Sequence, residues 1–268
     1  MAKRTKPQHR EIRTLRVLGS KRISPNVLRI TAGGAGLEGF TAMGYDQWFR
    51  MFLPRPGQAD LKLPTATSNL WYAQYLMTGK ESRPTVRNYT IREFRAVGVT
   101  GPEFDIDFVI HDGGTPASDW ATAAAPGDEF AILDEGLIYE PGLAKGFQLL
   151  VGDESALPAI AGVLASAPQD MGGEVFIEIP HEDDRQDLGE PEGVTVHWLP
   201  RANAHDHPGP LVLETVKAAK LPETLGYAYV AGESELATGL RRHLVGERGM
   251  NKQAVSFTGY WRFGKSQG

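Results

Sequence analysis

Hydrophobic and polar positions change their rhythm near the middle of the chain. In the first half, short alternating runs recur at 12–18, 27–31, 46–53, 85–94, 104–111 and 129–133. Alternation with a period of two is the mark of a strand with one buried face. Turns such as PRPGQ (54–58) and GGTP (113–116) separate the runs. Short strands divided by turns predict an antiparallel barrel or sandwich. Residues 60–82 lack a clear period and predict a loop with a short helix.

In the second half the runs are continuous rather than alternating. FQLLVG (147–152) reads as a strand buried on both faces, and ALPAIAGVLAS (156–166) has a helical composition. Strands follow at 174–179, 194–199, 227–232 and 254–260, with helices at 211–219 and 233–247. In the last helix Leu236, Leu240 and Leu244 share a face from which Arg241 and Arg242 point away. Strands alternating with helices predict a mostly parallel α/β sheet. The fold class is therefore an N-terminal antiparallel β-barrel, residues 10–141, followed by a Rossmann-like α/β domain, residues 146–264. The boundary is expected at the PGLAKG turn.

Composition narrows the function classes. The 268 residues suffice for two ordinary domains, and the 41% hydrophobic content is that of a globular chain. A net charge of −5 disfavours nucleic acid as a partner. Basic residues nevertheless gather at 1–16 and 241–268, where they offer attraction for a small anion. Cysteine is absent, which excludes disulfides, thiolate metal sites and a cysteine nucleophile. No signal peptide and no apolar run of membrane-spanning length is visible, so the expectation is a cytoplasmic protein without membrane insertion.

RNYTIRE (87–93) is the most charged of the strand-like runs. Alternation puts Arg87, Tyr89 and Ile91 on one face and Asn88, Thr90 and Arg92 on the other. An aromatic ring beside a planar ligand, two guanidinium groups and a threonine hydroxyl suit a flavin dinucleotide. An exposed strand with outward charges has the same pattern. HDGGTPASDWA (111–121) combines turn glycines with a helix start near Pro116, a place where a pyrophosphate finds free N–H groups. A capped helix after a Gly-rich turn reads the same way. VGDESALPAI (151–160) joins an apolar strand to a helix, where α/β sheets bind ligands, but lacks a glycine-rich fingerprint. Asp153 or Ser155 as a plain helix cap is the alternative. Gly34, Gly36 and Gly39 do form G-x-G-x-x-G, yet no long apolar helix follows and the strand DQWFRMF comes instead, so a dinucleotide fingerprint is not expected there. His205 and His207 flank Asp206 in a polar loop without a third ligand at metal spacing, and no metal site is expected.

These pieces, in this order and ending in GYWRFG (259–264), resemble the siderophore-interacting protein family. Its members are flavin-dependent ferric-siderophore reductases related to the ferredoxin–NADP reductase fold. The resemblance covers roughly residues 10–264. It implies that 10–141 binds FAD and that 146–264 is the NAD(P)H-binding-like domain. By that resemblance Arg87 meets the FAD phosphates, Tyr89 lines the flavin or its ribityl chain, and Thr90 contacts the isoalloxazine. Arg92 neutralises phosphate charge, and Asn88 and His111 belong to the same cofactor set. Gly114, Thr115, Ala117 and Ser118 supply donors to the pyrophosphate. Asp153, Glu154, Ser155 and Ala156 border the nicotinamide pocket, and Tyr260 and Trp261 cover the flavin or the pocket rim. DEGLIYEP (134–141) is more acidic than expected on that side.

The implied chemistry is physically coherent. Siderophores hold Fe(III) with hard oxygen ligands that hold Fe(II) far more weakly, so one electron releases the metal. FAD carries the redox step, and no catalytic side chain is needed. A basic patch would recruit an anionic ferric siderophore, with Arg50, Arg241, Arg242, Arg262 and Lys265 as candidates. NAD(P)H and ferredoxin are both open as electron donors. For a 2′-phosphate contact, neither Arg185 nor Arg201 stands out. The rival functions are a flavin-free ferric-siderophore carrier and a flavin reductase with another acceptor.

Overall fold

The computed structural model describes residues 4–58, 60–110 and 114–265. The chain divides into two compact units. One is Lys6–Gly136; the other starts at Leu137 and takes in the N-terminal residues up to Thr5. A bridge pairs Thr5 with Leu137. The PGLAKG turn at 141–146 lies inside that unit.

The first unit is built on a seven-stranded antiparallel sheet. Its strands are β1 (Ile12–Ser24), β2 (Val27–Gly33), β3 (Trp48–Leu53), β4 (Thr85–Thr90), β5 (Glu93–Arg95), β6 (Glu103–Val109) and β7 (Glu129–Gly136). They lie in the order β4-β3-β7-β1-β2-β6-β5. Alternation turns Leu15, Val17, Ile30, Phe49, Met51, Phe104, Ile106, Phe108, Phe130 and Ile132 into one core. Helix α2 (Pro116–Ala123) closes that core with Ala117 and Ala121, and its Trp120 ring stands edge-on to Phe130 at 5.6 Å. The opposite face of β3 and β7 presents Phe52, Ala131 and Leu133 to Trp71 of helix α1 (Leu70–Met77), whose indole meets Phe52 edge-on at 5.7 Å.

The run expected as one strand at 85–94 is two strands on opposite edges of the sheet. Between them, the Ile91 N–H bonds to the Gln47 carbonyl and the Arg92 N–H to the Asp105 carbonyl, each at 2.9 Å. Two adjacent residues thus tie the β3 side to the β6 side and curl the sheet into a barrel. Alternation alone could not show this, because the change of partner leaves the period unbroken.

The glycines 34, 36 and 39 lie in and around a short 3₁₀ segment, Ala35–Leu37, with Gly34 at its N-terminal end. A Cβ on Gly36 would lie 2.1 Å from the Thr14 carbonyl oxygen, so the turn packs directly on β1.

The second unit is a five-stranded parallel sheet in the order β10-β9-β8-β11-β12. The strands are β8 (Gln148–Gly152), β9 (Gly173–Ile179), β10 (Val194–Pro200), β11 (Tyr227–Glu233) and β12 (Val255–Trp261). Helices α3 (Leu157–Ser166), α4 (Pro210–Ala218) and α5 (Ser234–Arg242) accompany it. Helix α3 is apolar all round and buried from Leu157 to Leu164. Helix α5 is amphipathic, burying Leu236 and Leu240, and then widens into a π-turn, His243–Glu247, that buries Leu244. Strand order reverses direction between β8 and β11, which makes their carboxyl ends the switch point of the sheet. Among the described residues, no helix is long and apolar enough to cross a membrane.

Candidate functional site

Strand β4 is an edge of its sheet, and this gives the RNYTIRE motif its character. Its register pairs Phe49 with Tyr89 and Arg50 with Asn88. The Ile91-to-Gln47 bond fixes the phase of the ladder, so the main-chain groups of Asn88 point away from β3 to the free edge. Tyr89 packs on Phe108 with ring centroids 4.3 Å apart and stays half-buried. Burial pushes its phenol pKa upward against the opposing charge of Arg87, so it remains neutral.

Arg87 and Arg92 are both short of anionic partners. The Arg87 guanidinium donates to the Val86 carbonyl at 2.8 Å and meets no carboxylate among the described residues. Arg92 lies 3.9 Å from Asp107, whose carboxylate is already held by Arg29 at 2.6 and 2.8 Å. Its buried Nε has no hydrogen-bond partner. Burial lowers the Arg92 pKa, with Asp107 opposing. Thr90 is buried beside Trp48 in the ladder. Half-buried guanidinium groups, an open strand edge and a neutral aromatic ring fit a cofactor with a flat ring system and a phosphate chain.

The start of α2 is more occupied than the sequence implies. Thr115 and Ser118 close a capping box: the Ser118 N–H donates to Thr115 Oγ1 at 3.3 Å, and the Thr115 N–H to Ser118 Oγ at 3.0 Å. Their hydroxyls therefore serve the helix first. Ala117 is buried against the barrel core. Gly114 has φ +63°, and a Cβ there would lie 2.8 Å from Asp119 Oδ1, so the turn requires glycine. His111 lies outside the described residues.

The acidic DEG of 134–136 is neutralised inside the barrel unit. Glu135 accepts from Lys6 Nζ and Arg50 Nε, both at 2.6 Å, and also from Arg10. Burial would raise its pKa, but the Lys6 and Arg50 bonds hold it below the usual carboxylate range. Asp134, bound by Gln47 Nε2 at 2.8 Å and the Gly136 N–H at 2.9 Å, is pushed upward by burial. Arg50 is thus a partner of Glu135, with its guanidinium 4.8 Å from the Trp71 ring centroid. This pairing argues against a free cation awaiting an anionic substrate.

In the second unit the candidates converge on the carboxyl ends of β8, β11 and β12. Asp153 is fully buried; it accepts from the Ser155 N–H at 2.9 Å, Ser155 Oγ at 2.5 Å and the Glu233 N–H at 2.6 Å. Burial, reinforced by Glu154, pushes its pKa up to about 7. Glu154 grips Arg201 with two bonds of 2.8 Å, and Glu178 adds a third at 3.3 Å. Asp153 and Glu154 are therefore buried linchpins rather than open pocket walls. Arg201 is held by Glu154 and Glu178, not by Asp153. Ala156 is buried too, while Ser155 stays half-buried and accepts from Trp261 Nε1 at 3.2 Å. That bond carries the Trp261 side chain from β12 past the end of β11 to the turn after β8, across the mouth of the switch point. Tyr260 bonds instead to the buried Tyr229 hydroxyl at 3.0 Å.

The basic candidates of this unit are dispersed. Arg241 lies over the Phe257 ring at 4.7 Å, and Arg262 is 3.5 Å from Glu235. Arg242 and Lys265 are exposed. Sequence reasoning missed His207, Glu233 and Phe263. Glu233 is fully buried and caps α5 by accepting from the Glu235 and Leu236 N–H groups; it also takes the Phe263 N–H at 3.2 Å. His207 stacks on Phe263 at 4.2 Å, so this histidine is not simply a solvated loop residue. A glutamate just before ELATGL is a legible cap signal; the histidine–phenylalanine stack has no sequence signature.

Both units resemble known proteins. Residues 16–137 match the siderophore-interacting FAD-binding domain, and residues 147–264 match the siderophore-interacting protein model. Ferric vibriobactin reductase ViuB of Vibrio cholerae is 31% identical over 261 residues, 95% of this chain and 91% of that protein. The NADPH-dependent ferric-chelate reductase of Escherichia coli is 31% identical over 258 residues, 93% of this chain and 92% of that protein. The crystal structure of a siderophore utilization protein from T. fusca superposes with TM-score 0.83 at 29% identity, covering 98% of both chains.

Proposed function

The chain belongs to the siderophore-interacting protein family, and we propose that it reduces ferric siderophores with FAD held along β4. The observation that carries this reading is Arg87, a half-buried cation without a carboxylate partner, beside Tyr89 on an open strand edge. When bound, FAD supplies the redox chemistry, taking electrons in pairs and delivering them singly to iron.

The side chains supply everything else. Arg87 and Arg92 hold the phosphate charge, with Gly114 and the α2 N-terminus beside them. Main-chain groups of Asn88 on the strand edge, the Thr90 hydroxyl and the flat neutral ring of Tyr89 would hold the FAD ring system. The Fe(III) substrate needs no protein ligand, because reduction weakens its hold on hard oxygen donors. Residues 10–141 are the FAD-binding part of this proposal and 146–264 the donor side, with NAD(P)H as donor. A ferredoxin is the other donor class. The E. coli relative's NADPH dependence supports the first choice. The proposal places the protein in the cytoplasm, where reduced donors are kept.

The decisive experiment is anaerobic reduction of a ferric siderophore by FAD-reconstituted protein, with Fe(II) captured by a chromogenic chelator. Parallel reactions receive NADH, NADPH or reduced ferredoxin. A perturbed flavin spectrum and Fe(II) release are the expected results. Protein that binds the ferric chelate but no flavin would be a carrier. Turnover of quinone or free flavin without iron release would make it a reductase for another acceptor.

A further inference from the structure

Helix α1 buries Trp71 and packs Tyr75 inward, yet its outward side is apolar as well. Its outward side carries Leu70, Tyr72, Leu76 and Met77, exposed by 67%, 52%, 46% and 84%. Its polar Gln74 is half-buried and spent on the preceding loop, where its Oε1 accepts from the Thr65 and Ala66 N–H groups at 2.9 and 2.8 Å. Trp71 anchors the helix on Phe52. A surface helix is normally polar on its outward side. Contiguous exposed apolar residues mark an interaction surface.

The charges around it indicate which partner fits. Residues 54–84 contain Arg55, Lys62, Lys80 and Arg83 against Asp60 and Glu81, in a chain whose net charge is −5. None of these four cations has a carboxylate partner among the described residues, whereas Arg10, Arg16, Arg29, Arg50, Arg95 and Arg201 all do. Arg83 lies at the helix itself, donating to the Thr78 carbonyl at 2.8 Å with its guanidinium 5.4 Å from the Tyr75 ring. Tyr72 and Tyr75 stack at 6.1 Å. Exposed aliphatic side chains, tyrosines and flanking cations without carboxylate partners suit the headgroup region of an anionic bilayer.

We propose that the outward face of α1 docks this protein on an anionic lipid surface, the helix lying in the interface while the cations of 54–84 meet the headgroups. The docking is peripheral.

The test is co-sedimentation of FAD-loaded protein with phosphatidylglycerol-containing vesicles and with pure phosphatidylcholine vesicles. Binding to the anionic vesicles alone, weakened by salt, is expected. Met77→Asp and Leu70→Asp should each weaken it by about tenfold to a hundredfold. Lys80→Glu should weaken it by about fivefold. These positions are exposed, and circular dichroism and the flavin spectrum check that each variant is folded. Equal vesicle binding by wild type and all three variants overturns the proposal, as does no binding by wild type. A wild-type dimer that Met77→Asp splits, without vesicle binding, assigns the face to a second copy and also overturns it.

Discussion

Asp153 Oδ2 accepts the backbone N–H of Glu233 at 2.6 Å, so a buried acid after β8 holds the end of β11. The contact is tight enough to dictate its neighbour: Gly232 has φ +128°, and a Cβ there would fall 2.6 Å from the same oxygen. Glu233 repeats the device one layer out, capping α5 and taking the Phe263 N–H. Two buried carboxylates thus tie together the ends of β8, β11 and β12, which is where a parallel sheet binds its ligand.

Removing the Asp153 charge should have a pH-dependent effect on stability. Its folded pKa is raised to about 7, mainly by burial. An unfolded aspartate titrates near ~4, so between these values the folded state binds the extra proton and wild type loses stability as pH rises. Asp153→Asn cannot titrate and lacks this slope. The variant is expected to be less stable than wild type at pH 5, with the deficit shrinking by on the order of 2–4 kcal/mol by pH 8. Urea denaturation at both values checks this. A deficit that grows with pH would mean that the Asp153 pKa is not raised.

Arg201 answers two buried glutamates, and its loss should be severe. Arg201→Met leaves Glu154 and Glu178 without their shared cation, at a cost of about 3–5 kcal/mol. Adding Glu154→Gln should recover part of that loss, because one of the stranded charges is removed. Denaturant midpoints of the single and double variants measure both steps. A double variant less stable than Arg201→Met would show that Glu154 has another partner.

How far the sequence revealed this arrangement varies by element. The leucine spacing of 236, 240 and 244 identified the buried face of the last helix, and the apolar run at 147–152 identified a central strand. Such signals are local, since burial on one face leaves its own period. The break at Ile91 and Arg92 left none, because a strand that changes neighbours keeps alternating. Charge was the least legible feature. Arg50 read as a free cation and DEG as an acidic patch, yet Arg50 and Glu135 meet at 2.6 Å across 85 positions of sequence. Arg87 and Glu154 looked equally functional in one dimension; only their partners separate the unpaired cation from the paired acid.

That distinction gives a direct test of the flavin edge. Arg87→Gln should weaken FAD binding by about tenfold to a hundredfold, the worth of one charge-assisted phosphate contact. Because no carboxylate is left stranded, its stability should stay within about 0.5 kcal/mol of wild type. Arg50→Gln should show the opposite balance: Glu135 loses a partner, and stability falls by about 1–3 kcal/mol. Flavin fluorescence titration and thermal unfolding of both variants provide the comparison. An Arg87→Gln protein that keeps full FAD affinity would move the phosphate site elsewhere.

The Trp261 indole bonded to Ser155 at 3.2 Å crosses the mouth of the switch point, where a nicotinamide would need to enter. Ser155→Ala removes the acceptor but leaves the indole; Trp261→Phe keeps an aromatic ring but removes the donor. Each weakens the closed arrangement by roughly one hydrogen bond, so NADP⁺ or NAD⁺ should bind about twofold to tenfold more tightly. Calorimetric titration with the oxidised nucleotides reads this without any turnover. Unchanged affinity in both variants would mean that the indole does not compete with the dinucleotide. If neither the wild type nor the variants bind either nucleotide, while the chemically reduced protein still releases Fe(II) from the chelate, the donor is a protein such as ferredoxin, and the reductase assignment stands without the nicotinamide.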